Sequence, residues 1–251
     1  MIVILIFFVA HWYLSLFAQT FLQHRYAAHA SFTMSKGWER FFYIFALLMQ
    51  GSSYLSARTY GILHRMHHAY ADTPKDPHSP KYFKSLFAMM WATKNIYSDI
   101  FDNKYPVEER FTKNLPDWPW LDKFGQSMKV RLAFIVFYIS FYIQFATHWW
   151  LFLLIPFHIL SSPVHGSIIN WFAHKYGKVS YDVNNTSKNF LRVDVLMLGE
   201  DYHNNHHKFP TSANFGVKWF EIDPVYYVML CFDKVGIIKI KNKGKRFVTE
   251  Y

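Results

Sequence analysis

Fourteen histidines in 251 residues are the chemically loaded feature of this chain, and their spacing says more than their number. They run as His24-Arg-Tyr-Ala-Ala-His29, then His64-Arg-Met-His67-His68, then His203-Asn-Asn-His206-His207, with His174 four residues after Asn170. Spacings of three and four put side chains on one helical face, so His64 can converge with His67 or His68, and Asn170 with His174. A separation of five is about 140° of α-helical rotation, so His24 and His29 are expected to point apart, as ligands of two different metals would. Neutral imidazole suits iron, copper, zinc and nickel alike, so ligand type does not choose the metal. Eight histidines in three clusters, with His174, exceed what one tetrahedral zinc can use. Two metal ions fit the count. The bland alternative, interfacial or surface histidines, accounts for one such cluster but not for a repeated H-x-x-H-H spacing.

The elements that must carry these residues are set by charge. Positions 1–24, 41–57 and 132–174 hold no Asp, Glu, Lys or Arg, and all 27 basic and 17 acidic residues fall elsewhere. A helical crossing takes roughly 20 apolar residues. One crossing is expected over about 2–23 and two more over about 132–148 and 151–169, with Trp149 and Trp150 at the outer turn and Pro156 and Pro163 kinking the last. The 41–57 block turns polar after Met49, through Gln50, Gly51, Ser52, Ser53 and Ser56, and reads as an interfacial or half-inserted helix. With three crossings every Lys and Arg lies on one side, which the positive-inside rule makes cytoplasmic. The fold expected is an all-α membrane protein of a single domain, 1–251. It has about three transmembrane helices, an interfacial helix and a cytoplasmic helical cap (58–130 and 175–251) over a histidine-rich dimetal site. If 41–57 crossed the bilayer, the first two histidine groups would lie on opposite faces. The metal reading and the charge reading therefore require the same topology. Disorder, a disulfide scaffold and a purely cytosolic enzyme fit poorly, since the chain is aromatic-rich and carries only Cys231.

The boxes and their flanks resemble the integral-membrane fatty acyl desaturases, specifically the acyl-CoA delta-9 (stearoyl-CoA) type and its bacterial relatives. The likeness rests on H-x-x-x-x-H, H-R-x-H-H, N-x-x-x-H and G-E-x-x-H-N-x-H-H. It extends to Asp76-Pro77-His78-Ser79-Pro80, Asn170 to Gly177, Gly199-Glu200, Phe209-Pro210, and Trp219, Glu221, Ile222, Asp223 and Pro224. The resemblance implies that His24, His29, His64, His67, His68, His174, His203, His206 and His207 ligate two iron ions, with Asn170 holding a metal-bound water. It also implies a reaction in which O2 and two electrons remove two hydrogens from an unactivated acyl chain and leave a cis double bond. Such a C–H bond needs a strong oxidant, which redox-active iron supplies and zinc does not. The partners implied are a fatty acyl-CoA or other acyl donor, membrane lipid, and a separate electron donor, a ferredoxin or cytochrome b5-like protein with its reductase. The location implied is a bacterial inner membrane with the site facing the cytoplasm.

Other positions are weighed separately. His78 reads as a turn or supporting residue, His165 as a hydrogen-bonding neighbour of the site, His148 as part of the outer turn, and His11 and His158 as interior-facing polar groups. Asp201 and Tyr202 stand where the family more often has Gly and Trp, and the Asp201 carboxylate is expected to orient His203 or to disturb the metal potential. The usual first crossing of the animal enzymes has no counterpart, which leaves one side of an acyl tunnel to be shielded by a dimer or a bound lipid. The net charge of +10 suits anionic lipid, an acidic donor or a CoA phosphate, and the basic run from Lys234 to Arg246 reads as a solvated or lipid-facing tail. Nucleic-acid binding is not expected. Two competing functions stay open: a di-iron hydroxylase, and a metal-binding membrane protein without redox chemistry.

Overall fold

The structure, a computed structural model, describes residues 1–244. Helix α1 spans Ile2–Ala18 and runs on without a break as a π-helix, Gln19–Ala28. The expected crossing over 2–23 is therefore the front of a longer rod. Its two parts live in different surroundings: Ile2 and Ile6 are more than 60% exposed, as lipid-facing residues are, whereas Gln19, Thr20, Gln23, His24 and Arg25 are buried. Polar groups so placed are enclosed by protein and not by lipid.

Helix α2 (Lys36–Gln50) starts five residues before the uncharged block, because Ser35 caps it by accepting from the Trp38 backbone N–H. It runs back antiparallel along α1, with Phe42 against Phe21 and Phe45 against Phe17. It stops at Gly51, whose φ of 53° is open to glycine, and where a Cβ would collide with the Tyr138 hydroxyl. One 3-10 turn, Gly51–Ser53, reverses the chain into α3 (Ala57–Tyr70), capped by Ser56. The helix expected at 41–57 is thus half of a re-entrant hairpin, and the polar end of that block is its buried turn. Gln50 pairs with Gln23 of α1 (2.9 and 3.2 Å), Ser53 Oγ lies 2.8 Å from Ser161 Oγ, and Ser52 donates to the Ile159 carbonyl.

After α4 (Leu86–Phe101), α5 (Glu109–Thr112) and α6 (Pro119–Gln126), α7 (Met128–Phe145) is long and apolar enough to cross. The return strand is broken: a 3-10 stretch, Trp149–Leu154, leads into α8 (Ile155–Ile159), which meets α9 (Ser161–Ser167) at a 75° bend. Pro156 and Pro163 flank that break, and a π turn, Ile168–Phe172, joins α9 to α10 (Ala173–Lys175). Two helices, or three if the bent pair is one span, can cross. His11 lies 3.0 Å from the Tyr138 hydroxyl and His158 2.9 Å from that of Tyr142, so both face the interior, while His148 is exposed at the turn before Trp149.

The fold is helical with one departure. β1 (Phe32–Met34) pairs antiparallel with β2 (Ile238–Ile240), which follows α11 (His203–Lys208) and α12 (Pro224–Lys234). The Ile-Lys-Ile alternation buries Ile238 and Ile240 in the main core and leaves Lys239 exposed. This stretch of the basic run is thus a docked strand and not a loose tail. Lys245 and Arg246 lie outside the described residues.

Candidate metal centre

All nine boxed histidines come together, in two groups. His24, His29, His64, His68 and His206 form one, and His67, His174, His203 and His207 the other. Within the first, the Nε2 atoms of His64 and His29 are 2.9 Å apart, and His206 Nε2 is 3.1 Å from His24 and 3.0 Å from His68. Within the second, His203 Nε2 is 3.0 Å from both His174 and His207, and His67 is 3.3 Å from His207. Pairwise hydrogen bonds cannot satisfy five converging lone pairs. An ion at about 2.0–2.1 Å from each nitrogen would space neighbouring ligands by roughly 3 Å. The donor set therefore fits two ions of the imidazole-loving class.

The grouping corrects the reading of His24 and His29. They share one group, because residues 19–28 are π-helical and the His29 N–H bonds to the His24 carbonyl, five residues back (3.1 Å). That pitch stacks positions five apart, which α-helical arithmetic turned away from each other. In the helical boxes the first and last histidines, four apart, serve one group, and the histidine three on crosses to the other. His64 and His68 share a group while His67 leaves it, and His203 and His207 share the second while His206 leaves it.

Four of the outer nitrogens have a polar neighbour, those of His24, His67, His174 and His207, while those of His203 and His206 have none among the described residues. His24 Nδ1 lies 2.6 Å from Glu200, which also meets Thr20 and Arg25. Arg25 is wholly buried, pairs with Asp223 at 3.0 Å and lies over Phe215. His67 Nδ1 donates to Asp76 at 2.9 Å, and the neighbouring His67 and His78 imidazoles together with hydrogen bonds hold that carboxyl well below its usual range against the opposing effect of burial. His174 meets Thr186 at 3.1 Å, and Asn185 Nδ2 lies 3.2 Å from His207 Nδ1. Burial, and then neighbouring imidazoles, depress the pKa of His64, His68, His203, His206 and His207 well below 6.5, so these rings are neutral at pH 7, as metal coordination requires.

A narrow cleft between α1 and α9 reaches both groups, lined by Leu16, Thr20, His24, His64, Asn170 and His203 among others. Asn170, on the π turn, is thereby placed beside the histidines expected of it. His165 lines the same cleft but makes no hydrogen bond among the described residues; its ring packs edge-on against Trp12 at 4.4 Å. Its expected hydrogen bond is not there. Nor does Asp201 orient His203. Both carboxylate oxygens and His203 Nδ1 lack partners among the described residues, and burial, with Asp194 and Glu200 nearby, pushes the Asp201 pKa up to about 8. His78 is buried, its ring 4.3 Å from His67 and its backbone N–H on Asp76. Arg25 escaped the sequence reading because an arginine beside a histidine box looks like an ordinary surface charge; Asn185 and Thr186 lie in a segment with no motif.

Helices able to cross a membrane, joined to a cap that gathers nine histidines into two groups that could each hold a metal ion, define a membrane protein of the histidine-box class. The fatty acid desaturase family model matches residues 1–234. Delta-9 acyl-lipid desaturase 1 of Arabidopsis thaliana is 29% identical over 234 residues, covering 89% of this chain and 71% of its own. Acyl-CoA 5-desaturase AL21 of Anemone leveillei is 31% identical over 237 residues (88% and 66%). The sn-1 stearoyl-lipid 9-desaturase of Synechocystis sp. is 32% identical over 223 residues (86% and 64%). The chain belongs to the fatty acid desaturase family. It is a membrane oxidoreductase of fatty acid desaturation.

Proposed function

We propose that this chain is an O2-dependent di-iron desaturase that places a cis double bond at the delta-9 position of a long-chain fatty acyl group. The observation that carries this is the pair of histidine groups set at the end of a cleft between helices. Bound iron supplies the oxidising power that an unactivated C–H bond demands. The chain's own residues do the rest. Glu200 and Asp76 fix ring orientation at His24 and His67, which presents Nε2 of each inward. Asn170 offers an amide within the cleft where a water can be held. Leu16, Ile169 and Met197 give the cleft apolar walls, so an alkyl chain is positioned by shape and water is kept from the reacting carbons.

Relatives named for delta-9 and stearoyl 9-desaturation support the position of the bond. Their names divide on the acyl carrier, between lipid and CoA, so the expectation of an acyl-CoA has a rival in a glycerolipid. The basic cap, by the positive-inside rule, favours a site facing the cytoplasm of a bacterial inner membrane. The chain's net charge of +10 suits an acidic ferredoxin or a cytochrome b5-like donor. Expression with such a donor, followed by iron analysis and location of double bonds by mass spectrometry, tests the reading. A delta-9 cis product with two irons per chain is expected. Hydroxylated chains would select a hydroxylase, and bound metal with no product in the presence of donor and O2 would overturn both.

A further inference from the structure

The cleft beside the histidines is too narrow for an alkyl chain. Its volume is about 40 Å³, whereas pockets that enclose ligands run to roughly 300–1,000 Å³. An acyl chain therefore enters only if some wall moves. The cap side is tied down: Asp72 accepts from the Thr186 backbone N–H and from Ser79, and Asn204 accepts from the N–H groups of Ser180 and Tyr181. The opposite wall lies along the apolar helix α1.

There the segment 191–198 runs down beside α1. Glu200 meets α1 at Thr20, and four residues earlier the Leu196 carbonyl accepts from Trp12 Nε1 at 3.3 Å. Residues 196–200 form a turn, closed by the Glu200 N–H on the Met197 carbonyl at 3.1 Å, and that turn rests against the helix between Trp12 and Thr20. Val193, Val195 and Leu196 are exposed at 45–61%. The one carboxylate among them, Asp194, is turned inward onto the backbone N–H groups of Met197, Gly199 and Asp201. A loop that satisfies its carboxylate internally and turns valine and leucine outward, with the Arg192 guanidinium held over the Phe220 ring at 5.0 Å, suits the edge of the bilayer. Trp12 couples this loop to α9, since its ring also packs against His165 inside the cleft. The indole hydrogen bond to Leu196 is the latch.

The geometry points to a lateral gate: Trp12 and the 191–198 segment part to admit an acyl chain that is still esterified to a membrane lipid. The gate rests on the desaturase reading for its purpose but not for its test. The lipid's headgroup stays at the interface while the chain passes between α1 and α9 to Asn170 and the histidines.

The test uses the iron-loaded full chain in phosphatidylglycerol vesicles. The lipid carries a photoactivatable diazirine at mid-chain, and labelled peptides are mapped. The unmodified protein takes label on 12–20 and 165–170. With Trp12→Cys and Leu196→Cys in a Cys231→Ser background, a short bismaleimide that bridges the pair cuts this labelling by about tenfold or more, as locking a lid does. Trp12→Ala, which removes the latch, raises it. Equal labelling of bridged and unbridged protein overturns the gate. So does label that reaches the cleft only from the matching CoA thioester. Labelling as expected with no desaturation in the presence of a working donor leaves the gate standing and sinks the desaturase reading.

Discussion

The two histidine groups are built from the same boxes yet are not equivalent. The first has five imidazoles, and its bracing carboxylate, Glu200, is tied through Arg25 to Asp223 in the protein core. The second has four, braced by Asp76 and by the short segment holding Asn185 and Thr186, and the cleft that carries Asn170 touches both groups. The contrast teaches a division of labour. A five-imidazole group held by a buried ion-pair network is the more saturated and more rigid centre. A four-imidazole group, one nitrogen short of the other, is the one with room for a further ligand.

Substitutions that strike one group and spare the other test this division. The largest effect is expected from His206→Ala, since His206 Nε2 stands within 3.1 Å of two other ligands of the five-imidazole group. Iron should fall to one per chain or below, and activity should drop by well over the roughly 100-fold seen for loss of an outer partner. Membrane insertion should be unchanged, and full activity would remove the third box from the site. Next come Glu200→Gln and Asp76→Asn, each expected to cost about 10–100-fold in iron affinity, and each on its own group. Mössbauer spectra of the two variants should show loss of different iron signals; loss of the same one would erase the division. Asn170→Ala should keep both irons and lower turnover by about tenfold while perturbing the spectrum of a single ion. An unaltered spectrum would place Asn170 out of reach.

Smaller effects read the two kinds of buried ionisable group. The depressed histidines are neutral in the folded metal-free chain and protonate below 6.5 once unfolded. Their stability contribution is therefore present above about 6.5 and lost as pH falls below it. Thermal melts of metal-free protein at pH 7.5 and 5.5 should show the lower transition at 5.5. Asp201→Ala is the smallest. It removes two buried oxygens that nothing satisfies, so stability should hold or rise by about 1 kcal/mol. A clear drop in melting temperature would mean that the carboxyl has a partner in the folded protein.

Much of this site was legible because histidine boxes are local. Spacings of three and four survive translation from sequence to helix, so His64 was expected to converge with His67 or His68; pitch alone did not choose, and the structure groups it with His68. The relation of His24 to His29 was misread for the same reason: the arithmetic assumed an α-helix where the backbone is a π-helix, and no residue type announces that change. Charge marked the apolar blocks but not the helix ends. The start of α2 is decided by Ser35 and its end by the sterics of Gly51, neither of which an uncharged window senses. The Arg25 network was hidden because its partners, Glu200 and Asp223, lie about 175–200 residues away. Long-range pairing also made a strand of Ile238–Ile240, whose three residues are too few to stand out until β1 lies beside them.

The crossing of the middle histidines carries one more consequence, for occupancy. Because α3 and α11 each donate to both groups, filling either one fixes the helix that presents ligands to the other. The ordering cost is met at the first binding event, and the second ion finds imidazoles already in place. By linkage the preference is mutual, whichever ion arrives first. Iron titration of the metal-free chain would then pass from empty to doubly loaded with little singly loaded protein between. A chelator would strip the two ions together.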